Sequence, residues 1–326
     1  MDPLGIGQCL LWAALAFVAV ALVCDVVIVT AGRRPRDRSP VRIVVGANSA
    51  DTSADRDLEM DPEALTGVEA DAQAVAPDQE GPAPDKPPLM GGSLRTYATW
   101  FTSIALALVT GYLAIRMGVS GHGPFSNQHE FAVAFAWGIL AAYLVAHWRF
   151  RVAMLAVAVE PVAGCLMLYA LNLDATVAPL VPALQNSVLL TLHVGFAIAA
   201  YGAACVSFGA AAIYLLHARI GQSWKTPAER FDDIGYRSAV VTFPLLTAMI
   251  VLGSLWAETA WGRYWGWDPK ETAALVTWLI YAAYLHARVA RGWRGRRAAW
   301  LLVVGFAAVL FAYFGNHFFG GLHSYG

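Results

Sequence analysis

Charge is scarce in this chain. Asp, Glu, Lys and Arg make up 14% of its 326 residues, against about a quarter in a soluble domain. The two signs nearly cancel, to a net charge of −1. Such a chain has no electrostatic footprint for nucleic acid, and no nucleic-acid partner is expected. Cysteine is scarce too: Cys9, Cys24, Cys165 and Cys205 all lie in apolar runs, and no two form a CxxC pair. They read as small core residues, which excludes a disulfide framework or a built-in thiol relay. Any thiol chemistry then has to come from a partner. What the chain does have is apolar surface, at 58% of its residues, the balance of an all-α, polytopic integral membrane protein.

Crossing about 30 Å of hydrocarbon takes about 20 apolar residues in a helix. Eight stretches qualify, at about 8–30, 97–116, 130–147, 152–171, 187–216, 238–257, 271–288 and 297–314. The first has no basic segment before it and is followed by Arg33-Arg34-Pro35-Arg36, the pattern of a stop-transfer anchor rather than a cleaved signal. Arginines also fall at Arg149 and Arg151, in 217–237, and from Arg288 to Arg297. Basic residues mark cytoplasmic loops, and these clusters agree on one topology in the plasma membrane, with both termini extracytoplasmic. The chain divides into an anchor helix (1–30), a basic then acidic cytoplasmic linker (31–96) and a seven-helix body (97–326). Within the linker, 43–92 is rich in Ala, Asp, Glu, Pro and Gly. It holds too little apolar surface to offset its chain entropy and is expected to be disordered.

The outer loop 256–271 carries the densest chemistry. Its sixteen positions hold Trp256, Trp261, Trp265 and Trp267 with Tyr264, and the charged Arg263, Asp268, Lys270 and Glu271 beside Glu258. Indoles are enriched at every membrane interface, and Asp268 with Pro269 makes an ordinary helix start. Neither fact accounts for this density. The loop is expected to form a flat apolar platform with a charged edge, suited to a large planar guest with anionic arms. Haem fits that description. Neutral imidazole is the usual protein ligand for haem iron, and His193 and His323 both fall at the height of this loop. His286, fifteen residues beyond Glu271, lies about 22 Å deeper. A polar residue at that depth is a candidate site, although His217-Ala218-Arg219 repeats its pattern and interfacial snorkelling would explain both. His317 is a weaker outer candidate; His122 and His129 read as loop residues and His147 as interfacial. Glu160 beside Pro161 is a buried carboxylate with no assignable role, and no catalytic acid or base is apparent.

Trp261-Gly262-x-x-Trp265-x-Trp267-Asp268-x-x-Glu271 resembles the tryptophan-rich "WWD" motif of the haem-handling proteins of cytochrome c maturation. Gly253-Ser-Leu-Trp256-Ala before it, with Thr277-Trp278-Leu-Ile-Tyr281, Tyr284-Leu-His286-Ala-Arg288 and Leu322-His323-Ser324-Tyr325-Gly326 after it, resembles the CcsA (ResC) family of the System II pathway, called CcsB in some lineages. The likeness covers about 185–326, and the acidic linker lies outside the family pattern. The resemblance implies that His193 and His323 ligate haem b axially and that His286 belongs to an inner haem site completed by a ResB/Ccs1-type partner. It further implies a subunit of a cytochrome c haem lyase that serves an apocytochrome bearing CxxCH, with a thioredoxin-like thiol reductant. Two other readings are an exporter of haem or another planar solute without ligation, and a structural subunit whose loop only grips a partner.

Overall fold

The computed structural model describes residues 3–31, 89–177, 179–185, 187–220, 226–315 and 319–323. Among these are eight α-helices, each long and apolar enough to cross a membrane: α1 (Pro3–Ala31), α2 (Leu89–Ser120), α3 (Gln128–Phe150), α4 (Met154–Leu171), α5 (Ser187–Ile220), α6 (Ala228–Trp261), α7 (Pro269–Ala290) and α8 (Arg296–Phe314). A 3₁₀ turn, Pro182–Gln185, precedes α5. All eight expected spans are present. Most of the expected linker lies outside the described residues, and α2 begins at Leu89, inside the stretch read as linker.

The helices overrun the apolar runs because a helix continues past the bilayer on polar residues. α6 starts after Pro227, with Glu229 in its first turn and an Arg237–Asp233 pair one turn apart. Its 34 residues reach about 50 Å, well beyond the hydrocarbon. Pro161 in α4 and Pro244 in α6 are housed within the helices, as neighbouring helices in a bundle permit.

α5 is the most buried span and packs on α3, α4, α6 and α8, while α1 pairs with α2 and leans on α4. At the α3–α5 crossing, a Cβ on Gly202 would stand 2.6 Å from the Gly138 carbonyl oxygen. Only glycine lets these backbones approach so closely.

Polar ties gather the loops at the two ends of the bundle. At one end Arg230 donates to the Phe150 carbonyl at 2.8 Å, and Arg288 pairs with Asp232 at 2.6 Å. At the other, buried Arg116 pairs with buried Glu130 at 2.6 Å and donates to the carbonyls of Ala175 and Thr176. The second Glu130 oxygen accepts from the Ser126 N–H and hydroxyl. His129, read as a loop residue, sits instead in the first turn of α3, buried between the Tyr112 hydroxyl and the Ala170 carbonyl. The Asn127 cap, which accepts from Glu130 N, starts the helix early enough to include it.

Removing one member of a buried ion pair strands the other charge. Arg116→Met is expected to cost about 3–5 kcal/mol, and Arg116→Met with Glu130→Leu to recover much of it. Thermal unfolding in detergent checks this; a wild-type melt for Arg116→Met would sink the assignment.

Candidate functional site

The end of the bundle bearing the tryptophan loop is organised around one carboxylate. α6 stops where Gly262 turns left-handed (φ 70°), and Trp267 (φ 54°) turns the chain again. Asp268 then caps α7: its Oδ1 accepts from Lys270 N at 2.9 Å. Glu271 reaches back to the N–H groups of Gly266 and Asp268 at 2.8 and 3.2 Å, which completes a capping box. The same Asp268 also holds the tail. Oδ2 accepts from Leu322 N at 2.7 Å, and Oδ1 from His323 Nδ1 at 2.8 Å. Gly321 passes so close that a Cβ there would collide with the carboxylate.

A carboxylate only accepts, so His323 carries its proton on Nδ1 and the ring lone pair on Nε2. Burial pushes the imidazole below its ordinary pKa against the opposing pull of Asp268, and the ring is neutral at pH 7. Burial would raise the Asp268 carboxyl, but the hydrogen bonds from His323, Lys270 N and Leu322 N outweigh it and hold it at about 2.

His193, on α5, reaches the same tautomer differently. Its Nδ1 donates to the Met249 carbonyl on α6 at 2.8 Å, again leaving the lone pair on Nε2. Gly253 makes room for the ring, since a Cβ there would stand 2.6 Å from Cε1. Trp256, 2% exposed, touches both imidazoles. It is nearly parallel to His193 (8°, centroids 6.2 Å apart) and 5.8 Å from His323, and its Nε1 donates to the Ala183 carbonyl at 3.2 Å. Trp261 meets both Trp256 and His323 edge-on, each at 4.8 Å.

Both histidines face one cavity of about 290 Å³, near the lower end of the range for ligand pockets. Trp256, Tyr264, Trp265, Lys270 and Glu271 line it with them, and Phe131, Phe135, Leu184, Tyr201 and Tyr313 add an aromatic and aliphatic wall. Lys270 Nζ sits 5.3 Å above the Phe131 ring.

The expected site residues therefore separate. His193, His323, Trp256, Trp265, Lys270 and Glu271 come together on the cavity. Trp261 backs His323. Arg263 is exposed, with its guanidinium against Gly266, and Trp267 is 70% exposed with its ring edge-on to Trp265. Asp268 stands behind the cavity and is saturated by its three donors. The indoles do not form a flat platform; they meet edge to face, as ring quadrupoles favour. His286 is exposed on α7, away from the cavity, and His317 lies outside the described residues. The sequence reading missed Tyr201 and Tyr313, which look like ordinary core aromatics, and Ser126, Asn127 and Gln128 at the start of α3, which no motif marks. A possible signal for the latter was the Asn127 cap.

The depressed carboxyl sets a pH dependence. The Asp268 contribution is fully present above the ordinary carboxylate pKa, about 4, and is lost as pH falls through about 2. Protection of the Leu322 amide against hydrogen exchange is expected to hold at pH 5 and collapse between pH 4 and 2. Asp268→Asn should loosen the tail at every pH, and a pH-independent Leu322 would sink the tie.

The chain has relatives. The family described as Cytochrome C assembly protein matches residues 125–323. Cytochrome c biogenesis protein CcsA of Gloeothece citriformis is 36% identical over 290 residues, covering 72% of this chain and 88% of that protein. CcsA of Guillardia theta is 36% identical over 253 residues (69% and 84%), and CcsA of Gloeobacter violaceus 34% over 295 (72% and 87%). Among solved structures, cytochrome c heme lyase CcmF shares the fold, with a TM-score of 0.61 at 16% identity over 96% of this chain and 47% of that one. A family match spanning both cavity histidines, with relatives alike over most of their own length, places this multi-pass membrane protein in the cytochrome c assembly family as a CcsA-type protein of c-type cytochrome biogenesis.

Proposed function

We propose that the cavity receives haem b as cargo, held between His193 and His323, and presents it for covalent attachment to an apocytochrome c. One observation carries the reading: two imidazoles from distant parts of the chain face one cavity, each pinned through Nδ1 to an acceptor behind it. Metal-bound histidine characteristically donates its other N–H to a carboxylate or backbone carbonyl, and Asp268 and the Met249 carbonyl are those acceptors. The ring-rich wall suits a porphyrin face.

Lys270, rather than Arg263, is the cation for a propionate, because it lines the cavity while Arg263 turns away from it. Asp268 and Glu271 spend their oxygens on the loop and tail and act as positioning residues. The chain's own work is to orient the guest, exclude water and hold both imidazoles neutral. The reacting bonds belong to cargo and client: each thiol S–H of the CxxCH segment adds across a vinyl C=C to give a thioether, so no catalytic acid or base is assigned to this chain. A thioredoxin-like reductant keeps those thiols reduced.

The arginine-rich end, with Arg149, Arg151, Arg230 and Arg288, would face the cytoplasm, which puts the cavity and tail outside the plasma membrane. His286 then belongs to an inner site. Its exposed position on α7 leaves it open to a histidine from a ResB/Ccs1-type partner, and haem would pass from there to the cavity.

The test is an absorption spectrum of the detergent-purified protein with its partner, oxidised and reduced. A Soret band with sharp reduced α and β bands is expected, weakened in His193→Ala and His323→Ala. A colourless complex after haem is supplied would leave a structural subunit in its place. Gly253→Val, which pushes on the His193 ring, should weaken the band without touching a ligand. Lys270→Gln should lower haem affinity about tenfold or more, the worth of one charge-assisted hydrogen bond, whereas Arg263→Gln should leave it unchanged. Equal losses in the two variants would overturn the assignment of Lys270.

A further inference from the structure

Besides Glu130, which Arg116 neutralises, the first four helices bury two carboxyls that the cavity does not use. Asp25 on α1 and Glu160 on α4 are 2% and 0% exposed. Thr102 on α2 donates its hydroxyl to Glu160 Oε1 at 2.7 Å. Glu160 Oε2 and Asp25 Oδ2 are buried with no hydrogen-bond partner. The two carboxyls lie within electrostatic reach of each other, and both reach Cys24 on α1 and the Tyr143 hydroxyl on α3. The cation acting on this group is Arg95 on α2, which reaches Asp25, Tyr143 and His147 and also donates to the Arg151 carbonyl. α5 also packs on α4 and meets it through Gly209, against Val159 and Ala158.

The charge balance does not close with both carboxyls ionised. Arg95 reaches Asp25 alone of the two carboxyls, and in an apolar bundle two like charges in one site do not both persist. An ionised oxygen without a donor is also strongly penalised away from water. What Oδ2 and Oε2 lack is a donor, and a proton on either carboxyl supplies one. A polar string runs from the Tyr143 hydroxyl toward the arginine-rich end. The Tyr143 hydroxyl lies 3.4 Å from His147 Nδ1, and half-buried His147 places Nε2 3.3 Å from the Thr99 hydroxyl, one turn from Arg95.

We propose that Asp25 and Glu160 form an intramembrane proton-binding site, which holds one proton between the two carboxyls and exchanges it with the arginine-rich end of the bundle through Tyr143 and His147. Ionisable groups at such depth in membrane proteins are commonly proton sites. This site is separate from the cavity and stands whether or not haem binds there.

Infrared spectroscopy of the full-length protein in lipid nanodiscs at pH 7 tests it. A carbonyl band of a protonated carboxyl is expected in wild type, shifting when H₂O is exchanged for D₂O. The other buried acids among the described residues, Glu130 and Asp268, are paired with Arg116 and His323 and contribute no such band. Glu160→Gln should abolish the band, because the remaining Asp25 then balances Arg95. A wild-type spectrum without the band overturns the proposal, as does a band of unchanged intensity in both Glu160→Gln and Asp25→Asn. Tyr143→Phe keeps the carboxyls and should slow the isotope shift at least about tenfold; an unchanged rate overturns the route through Tyr143.

Discussion

The Asp268 carboxylate is the interaction on which the rest of the site depends. It starts α7, closes the tryptophan loop through the capping box, and holds the tail by a backbone N–H and an imidazole. A buried carboxylate is tolerable only when its oxygens are matched by donors, and here donors from the first turn of α7 and from the tail meet that demand at once. The requirement also runs outward. Because Asp268 accepts and cannot donate, it dictates which nitrogen of His323 keeps the lone pair. A cap that looks local in sequence therefore sets the chemistry of a side chain far away along the chain.

The two histidines reach the same state from different surroundings. His193 is held within the bundle, between a carbonyl of α6 and the gap left by Gly253, and its position is that of the helix packing itself. His323 is carried on a tail after α8 and is held by the Asp268 tie and by the rings of Trp256 and Trp261. Trp256 contacts both histidines and is itself tied to the turn before α5. One imidazole is thus as rigid as the core, while the other depends on its tie to Asp268 and on the two indoles beside it.

Hydropathy located all eight helices because lipid demands long uninterrupted apolar runs. It missed the polar ends, such as 228–237 of α6, because those residues fold by capping and pairing rather than by burial. The density of the tryptophan loop was legible, and so were the cavity histidines. The directions of the loop side chains were not. Whether Arg263 or Lys270 faces inward depends on left-handed backbone at Gly262 and Trp267, and only the glycine advertises such a turn. Asp25 went unread because a single acid within an apolar run leaves the hydropathy almost unchanged, whereas Glu160 stood out beside Pro161 yet lacked a visible neighbour. Its neighbours come from three other helices, a juxtaposition that one-dimensional spacing does not carry.

The order of the chain gives the tail's role a further consequence. His193 is made more than a hundred residues before His323, and at ribosomal speeds that interval is on the order of ten seconds. Throughout it, the bundle can close around α5 and α6 while the cavity still has one imidazole. Only after α8 has been made can the second arrive and find Asp268. The pocket is therefore completed by the segment that follows α8, so that a chain stalled in that interval has only one of the two imidazoles in the cavity.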